Sequence, residues 1–152
     1  MISFDQVPFG TPLYRTTLAF REEHLRRPLG LRQTAADVAG EDAQFHFAAL
    51  DGDVVRAVLC LKPLTLERVK LRQMCVDTGQ RGTGLGSDLV RFAEAWAQGR
   101  GFTVVELHAR YAVRRFYERL GYHPVGEMFE EVGLPHIGME KVLPQAGGAS
   151  TA

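Results

Sequence analysis

Short apolar runs and runs with a helical repeat follow one another along this chain, and the change of pattern predicts its elements. Runs rich in Val, Leu, Phe and Ala predict strands over residues 45–50, 54–61 and 68–76. The first two runs flank Asp51-Gly52-Asp53, and Asp-Gly between apolar runs is a strong signal for a β-hairpin. These three strands are therefore predicted to form an antiparallel meander.

The N-terminal third follows a weaker pattern. Residues 2–9 predict a short first strand, and apolar positions at helical spacing predict a helix over residues 12–26 that a proline and a glycine end. Residues 31–41 are ambiguous, although Thr34 could cap a short helix there.

The second half alternates helices and strands. A helix is predicted over residues 87–98, and its apolar face carries Leu89, Phe92, Ala93 and Trp96, so this face is expected to pack on the sheet. The later elements are a strand over 103–109, a helix over 111–120, and a hairpin of strands 122–131 and 136–143 around Gly133-Leu134-Pro135. This order predicts an α/β fold of the α+β type, in which one mixed sheet carries helices on its faces.

Length and composition limit the classes of protein to which this chain could belong. The 152 residues predict a single domain over 1–143, and residues 144–152 are small and polar, so they are expected to be a disordered tail. The 18 basic and 18 acidic residues balance, which argues against a general nucleic-acid or membrane-surface binder.

Two further features predict a cytoplasmic protein. Residues 1–5 lack the basic start and apolar run of a signal peptide, and no apolar run is long enough to cross a bilayer. Cys60 and Cys75 form no C-x-x-C pair, so buried free thiols in a reducing compartment are expected.

One stretch combines a strand, a glycine-rich turn and a helix. Gly82, Gly84 and Gly86 lie between the strand that ends at Val76 and the helix that begins near Ser87. Glycines let successive N–H groups point outward, and the first turn of a helix adds unpaired N–H groups and the positive end of its dipole. The stretch therefore predicts an anion site, most often one for phosphates.

Two known phosphate motifs fit this stretch poorly. A P-loop needs a lysine after its last glycine, and no lysine lies between Arg72 and Lys141. A dinucleotide-binding turn needs G-x-G-x-x-G, but Ser87 stands at the third glycine position. Glu106 has the spacing of a ribose-binding acid, yet it lies inside its predicted strand, so a dinucleotide-binding oxidoreductase ranks lower.

A third motif fits. Residues 81–86 read R-x-x-G-x-G, which resembles the pyrophosphate loop of the GNAT acetyltransferase superfamily. Residues 116–122, Phe-Tyr-Glu-Arg-Leu-Gly-Tyr, are similar to the end of its later helix, at the family's spacing. Residues 130–139 resemble the closing hairpin of the ElaA-like branch, and the whole likeness covers residues 44–143.

The resemblance implies a GNAT-type acyl-CoA N-acyltransferase fold, with acetyl-CoA as cosubstrate and no metal. It implies an N-acetyltransferase that moves an acetyl group to a primary amine by direct attack in a ternary complex. The residues that it implies for cofactor binding are Met74, Cys75, Val76, Arg81, Gly82, Thr83, Gly84, Leu85, Gly86, Ser87, Arg110 and Phe116.

The resemblance also implies catalytic residues. Tyr117 is expected to stabilise the leaving thiolate, chiefly by a hydrogen bond, because a phenol of pKa about 10 is a weaker acid than a thiol of about 8.5. Glu131 and His136 are preferred as the base or as the acceptor side, while Glu130, His46 and His108 remain open. The superfamily usually carries Asn or Gln where this chain has Arg110, so its acyl-chain preference stays open.

The resemblance to the GNAT superfamily also implies the binding partners. The acceptor is a small molecule with an amine or a protein lysine, no nucleic acid or membrane partner is expected, and the chain is a monomer or a homodimer. The alternative from another class is a domain that binds acetyl-CoA without turning it over, as a sensor or partner module.

Overall fold

The structure, a computed structural model, describes residues 1–145. Its strands are β1 (Ile2–Val7), β2 (Phe45–Asp51), β3 (Val54–Pro63), β4 (Arg68–Val76), β5 (Val104–Arg110), β6 (His123–Glu131) and β7 (Leu134–Val142). Its α-helices are α1 (Pro12–Arg21), α2 (Ala35–Val38), α3 (Leu85–Gly99) and α4 (Arg114–Arg119). Among these residues no helix combines the length and the apolar composition needed to span a bilayer.

The chain divides into two compact units. The first contains Met1–Lys62 and Arg72–Ala93, and the second contains Pro63–Leu71 and the described residues from Glu94 onward. Strand β4 and helix α3 contribute residues to both units. The strand order is β1-β2-β3-β4 in the first unit and β4-β5-β7-β6 in the second.

In the first unit, β1, β2 and β3 pair in antiparallel fashion. Gly52 makes the turn between β2 and β3 with a φ of 61°, a value that L side chains rarely adopt. Helix α1 begins at Pro12 because the hydroxyl of Thr11 accepts a hydrogen bond from the amide of Tyr14 at 3.2 Å. The apolar core contains Val7, Tyr14, Phe20, Ala48, Leu50, Val55, Val58 and Cys75.

The second unit contains a mixed sheet. Strand β5 is parallel to β4 over Arg68–Leu71 and Val104–Leu107, and antiparallel to β7, which is antiparallel to β6. The β6–β7 turn consists of Val132 and Gly133, with φ values of 46° and 75°. Two left-handed residues in a two-residue turn match the twist of the flanking strands. This pairing places the end of β6 and the start of β7 beside the carboxyl end of β5.

Most predicted elements are present, with boundaries that differ by a few residues. The β2–β3 hairpin and its Asp-Gly turn are confirmed, and β4 lies next to β3 in the sheet as predicted. Thr34 does cap the short α2 in a capping box with Asp37. The helix predicted over 12–26 is α-helical only to Arg21 and continues as one π-helical turn, Glu22–Arg26.

Three details of the prediction are corrected. The buried face of α3 carries Leu89, Val90, Ala93 and Ala97, whereas Phe92 is 37% exposed. The predicted helix over 111–120 begins with a 3-10 turn, so α4 itself has six residues. The last turn lies one residue earlier than predicted, because β7 already begins at Leu134. Residues 146–152 of the predicted tail lie outside the described residues.

Candidate active site

The glycine turn of the first unit joins the end of β4 to the start of α3. Residues Thr78–Gln80 form a single 3-10 turn, and α3 begins at Leu85. Asp77 Oδ1 accepts a hydrogen bond from the amide of Gly79 at 3.2 Å, and Thr83 Oγ1 accepts one from the amide of Leu85 at 3.4 Å. These hydrogen bonds between side chains and backbone amides stabilise the conformation of the turn.

Gly82 and Gly84 have φ values of 80° and 86°. A Cβ atom built at either position meets no atom within 4 Å, so the requirement for glycine comes from the backbone conformation rather than from crowding. Residues 81–84 are exposed, and Gly86 and Ser87 lie in the first turn of α3, where N–H groups have no acceptor within the helix. An open turn that leads into a helix N-terminus fits a diphosphate.

Asp77 is anchored to the neighbouring strand β3. Arg56 Nη1 donates to Asp77 Oδ2 at 2.7 Å, and the amide of Asp77 donates to the carbonyl oxygen of Arg56 at 2.8 Å. The hydrogen bond from Arg56, together with that from the Gly79 amide, lowers the pKa of Asp77. The carboxylate therefore stays charged and keeps the start of the turn in place near neutral pH.

The strand segment before the turn carries the residues implied for the pantetheine arm. Met74 and Val76 are half-buried, and Cys75 is buried. Burial raises the pKa of the Cys75 thiol to about 12, so this side chain is a packed thiol rather than a nucleophile near neutral pH. Gln73 precedes them with a φ of 57°, an uncommon value for a residue other than glycine.

Tyr117 belongs to α4 in the second unit. Its side chain is buried, and its ring makes edge-to-face contacts with Phe116 and Tyr122 at centroid distances of 5.0 Å and 5.8 Å. Such contacts fix the orientation of the ring. Arg110 ends β5, where it is half-buried and lies opposite His136 of β7.

The Glu131 cluster, formed by Glu131, His108, His136 and Lys70, lies at the β6–β7 hairpin of the second unit. Glu131 Oε1 is 3.0 Å from His108 Nδ1, and Glu131 Oε2 is 3.6 Å from His136 Nε2. Lys70 Nζ is 3.4 Å from His108 Nδ1. The Glu131 side chain is 45% exposed, whereas that of His136 is only 5% exposed. The cluster therefore joins a buried imidazole to a carboxylate that solvent can reach.

The Glu41 cluster, formed by Glu41, Arg21, Tyr14, His46 and Arg72, lies in the interior of the first unit. Arg21 donates two hydrogen bonds of 2.7 Å to the two oxygens of Glu41, and the Tyr14 hydroxyl donates a third of 2.7 Å. Arg72 Nη1 lies 3.6 Å from Glu41 Oε2. The side chains of Glu41 and Arg21 are 0% and 3% exposed, so this is a buried ion pair.

Charges in the Glu41 cluster are fixed near neutral pH. Burial by itself would raise the pKa of Glu41, but the hydrogen bonds from Arg21 and Tyr14 outweigh it and lower that pKa. Burial lowers the pKa of His46, whose Nε2 lies 2.9 Å from the backbone oxygen of Glu41, so this ring is neutral. Burial and the contact with Glu41 raise the pKa of Tyr14.

The family model described as the acetyltransferase (GNAT) domain matches residues 21–143. The chain therefore belongs to the GNAT family. The described residues contain no group of three His, Cys, Asp or Glu side chains arranged to hold a metal ion.

Proteins with similar sequences support the assignment to the GNAT family. The chain is 36% identical over 134 residues to the uncharacterised N-acetyltransferase YitI of Bacillus subtilis, covering 84% of this chain and 90% of YitI. It is 34% identical over 82 residues to protein ElaA of Escherichia coli, covering 53% of this chain and 54% of ElaA. The chain spans about half the length of several curated relatives that it matches.

Solved GNAT structures share the fold. A structure from Lactobacillus plantarum superimposes with a TM-score of 0.84 and 28% identity, covering 94% of this chain and 99% of that one. An aminoglycoside 6'-N-acetyltransferase complexed with coenzyme A has a TM-score of 0.76 and 20% identity, covering 93% of this chain and 97% of that one. The predicted GNAT fold and the predicted likeness to ElaA are thus confirmed.

Several site residues predicted from the GNAT resemblance lie next to one another within a unit. The first unit holds the implied cofactor residues from Met74 to Ser87 in one continuous segment. In the second unit, Tyr117 packs against Phe116, and Glu131 approaches His136.

The other residues predicted as possible bases lie in different surroundings. His46 is buried in the Glu41 cluster, and Glu130 pairs across the hairpin with Pro135, so neither joins the Glu131 cluster. His108 does join it. The contact between Arg21 and Glu41 was not predicted, because the two residues lie 20 positions apart in a stretch without a clear periodic pattern.

Proposed function

We propose that this protein is an acyl-CoA-dependent N-acetyltransferase that acts on a primary amine by direct attack in a ternary complex. The observation that carries the proposal is the glycine turn. Gly82 and Gly84 adopt left-handed conformations immediately before the N-terminus of α3, in an exposed loop held by Asp77. Membership of the GNAT family and the coenzyme A bound to a neighbour of the same fold support the same function.

The residues of the first unit fit the cosubstrate. The amides of Gly82, Gly84, Gly86 and Ser87 would bind the diphosphate, and Arg81 would add a positive charge. The backbone of Met74, Cys75 and Val76 would bind the pantetheine arm as an added strand does. Thr83 and Leu85 would support the turn. When bound, acetyl-CoA supplies the acetyl group as a thioester.

In the second unit, Tyr117 is proposed to donate a hydrogen bond to the departing sulfur. Its ring is held by two aromatic neighbours, so the position of its hydroxyl oxygen is fixed. Preorganised donors of this kind need no reorganisation when negative charge develops. Phe116 and Arg110 are proposed to line the cofactor side, where Arg110 could hold a carbonyl or phosphate oxygen.

Glu131 and His136 are proposed for the acceptor side. Their contact at 3.6 Å brings together the kinds of group that attract and deprotonate an amine. The acceptor, a small amine or a protein lysine, stays a prediction, as do the cytoplasmic location, the absence of a metal and a monomeric or homodimeric state.

Two measurements test the function. Calorimetric titration should show that acetyl-CoA binds and NADH does not. A screen of amines should then show thiol release that depends on the amine. Tight binding of acetyl-CoA with no thiol release for any amine would contradict catalysis and favour the sensor module, whereas binding of NADH alone would favour a dinucleotide-binding protein.

A further inference from the structure

In the neutral form of the His136 ring, two hydrogen-bond acceptors face each other in the Glu131 cluster. His136 Nδ1 lies 2.9 Å from the carbonyl oxygen of Leu134. A carbonyl oxygen only accepts hydrogen bonds, so Nδ1 carries the hydrogen, and Nε2 of the neutral ring has a free lone pair. The neighbour of Nε2 at 3.6 Å is Glu131 Oε2, which is also an acceptor. Together these two acceptor atoms therefore suit a group with several N–H donors.

His108 fixes the direction of the carboxylate. Its Nδ1 lies 3.0 Å from Glu131 Oε1 and 3.4 Å from Lys70 Nζ, but one nitrogen cannot donate and accept at the same time. The shorter contact, to a charged carboxylate, decides that Nδ1 donates to Glu131. With Oε1 engaged in this way, Oε2 is the oxygen directed to His136.

We propose that the Glu131 cluster binds the acceptor amine as its ammonium ion, through Glu131 Oε2 and His136 Nε2, and that His136 then removes a proton from it. An ammonium group offers three donors and a positive charge, which complement the two acceptors and the carboxylate. His136 is the catalytic base, while Glu131 and His108 are positioning residues. This inference rests on the proposed acyl transfer and names its acceptor site.

The proton transfers balance. An ammonium nitrogen has no lone pair, so one proton must leave before attack, and it moves to His136 Nε2 and later to water. The nitrogen loses a second proton as the N–C bond forms and the C–S bond breaks, and this proton ends on the sulfur. One ammonium ion and one thioester thus give one amide, one thiol and one released proton.

The position of the cluster agrees with this role. His136 lies opposite Arg110, the last residue of β5, and ligands of open sheets bind beyond the carboxyl ends of their strands. Among the described residues, the titratable and charged groups near His136 include Glu131 of β6, His108 and Arg110 of β5, and Lys70 of β4. A pH profile reports this set together.

The first test uses the wild-type protein without acetyl-CoA. The ¹⁵N resonances of the His136 ring at pH 8 should show a protonated Nδ1 and a bare Nε2. Ethylammonium chloride should shift the Nε2 resonance, while tetramethylammonium chloride, which has the charge but no N–H, should not. The opposite tautomer, a doubly protonated ring at this pH, or equal responses to both salts would overturn the proposal.

The second test measures turnover with the amine that the screen returns. His136→Gln should lower kcat/KM for the amine about 100-fold and remove the acidic limb of its pH profile, because the base is lost. Glu131→Gln should raise KM for the amine about 10-fold with a smaller change in kcat, because a carboxylate that attracts the cation is lost.

The control is His123→Gln, which changes a histidine on β6 that is 60% exposed and should leave all these values unchanged. Acetyl-CoA affinity should stay the same in all three variants. A His136→Gln enzyme with an unchanged pH profile would overturn the assignment of the base. Failure of the wild type to release thiol with any amine would instead contradict the proposed function, and the ring resonances would still test the ammonium site.

Discussion

The two units of this protein each contain a carboxylate that contacts a histidine, and the surroundings of these carboxylates differ. Glu41 of the first unit is 0% exposed and receives two hydrogen bonds from Arg21, a cation that keeps its charge at every ordinary pH. Glu131 of the second unit is 45% exposed, and the partners that its two carboxylate oxygens contact are the uncharged or charged rings of two histidines, His108 and His136, rather than a permanent cation.

This difference distinguishes a carboxylate with a structural role from one that can take part in a reaction. A buried carboxylate with a permanent cation has a fixed charge, so it can hold elements together but cannot take part in proton transfer. A half-exposed carboxylate between titratable rings can meet a ligand and assist a change of charge. The first unit therefore combines a buried ion pair with the turn that we propose binds the diphosphate, and the proton chemistry is proposed for the second unit.

The largest expected effect is a difference in protein stability between variants of the two carboxylates. Glu41→Gln should lower the free energy of unfolding by about 3–5 kcal/mol, because it leaves the buried Arg21 charge without its partner. Glu131→Gln should change it by less than about 1 kcal/mol, since exposed ion pairs contribute little. Urea unfolding measures both values. Equal losses in the two variants would contradict the comparison.

Tyr117→Phe should affect turnover alone. Removal of one hydrogen-bond donor to developing negative charge lowers kcat about 100-fold, while acetyl-CoA affinity should stay within a few-fold. Steady-state kinetics and calorimetric titration separate the two effects. Tyr122→Phe is the matched control for loss of a hydroxyl, and unchanged turnover in Tyr117→Phe would exclude the proposed role.

Gly84→Val should affect binding in the first unit. Its φ of 86° is a conformation that valine rarely adopts, so the turn would have to change its path. We expect acetyl-CoA affinity to fall about 10-fold or more, which is about 1.4 kcal/mol. Gly52→Val, in the β2–β3 hairpin with a φ of 61°, is a control for backbone strain away from the turn. Equal affinity in Gly84→Val and the wild type would remove this turn from the cofactor site.

The smallest expected effect is a pH dependence of stability in the first unit. The lowered pKa of His46 means that the unfolded chain binds more protons below about pH 6.5, so stability should fall as the pH drops from 7. The lowered pKa of Glu41 adds a further loss below about pH 4.3. Unfolding curves between about pH 3 and pH 8 check both directions, and His46→Gln should remove the loss near pH 6.

Local chemistry explains which features could be predicted from the sequence. The Asp51-Gly52-Asp53 hairpin and the glycine turn have short-range signals, because Gly52, Gly82 and Gly84 need conformations that other residues avoid. The sequence predicts the β6–β7 turn one residue too late, because Val132 adopts a positive φ that its residue type does not suggest.

Contacts between distant residues had no such signal. Arg21 and Glu41 are 20 positions apart, and Arg56 and Asp77 are 21 apart, so their pairing depends on how the strands and helices pack. The same holds for His108 and Glu131, which are 23 apart. The motif points to the turn proposed for the cofactor, whereas the residues proposed for the acceptor side come together only through the pairing of β5, β6 and β7.

We propose that the turn from Arg81 to Ser87 binds the diphosphate of acetyl-CoA. Titration of ¹⁵N-labelled protein with acetyl-CoA, followed through its backbone amide resonances, tests this claim most directly. We expect the largest shifts at the amides of Gly82, Gly84, Gly86 and Ser87. Saturable binding with shifts confined to other segments, or no shift at any amide, would contradict the claim.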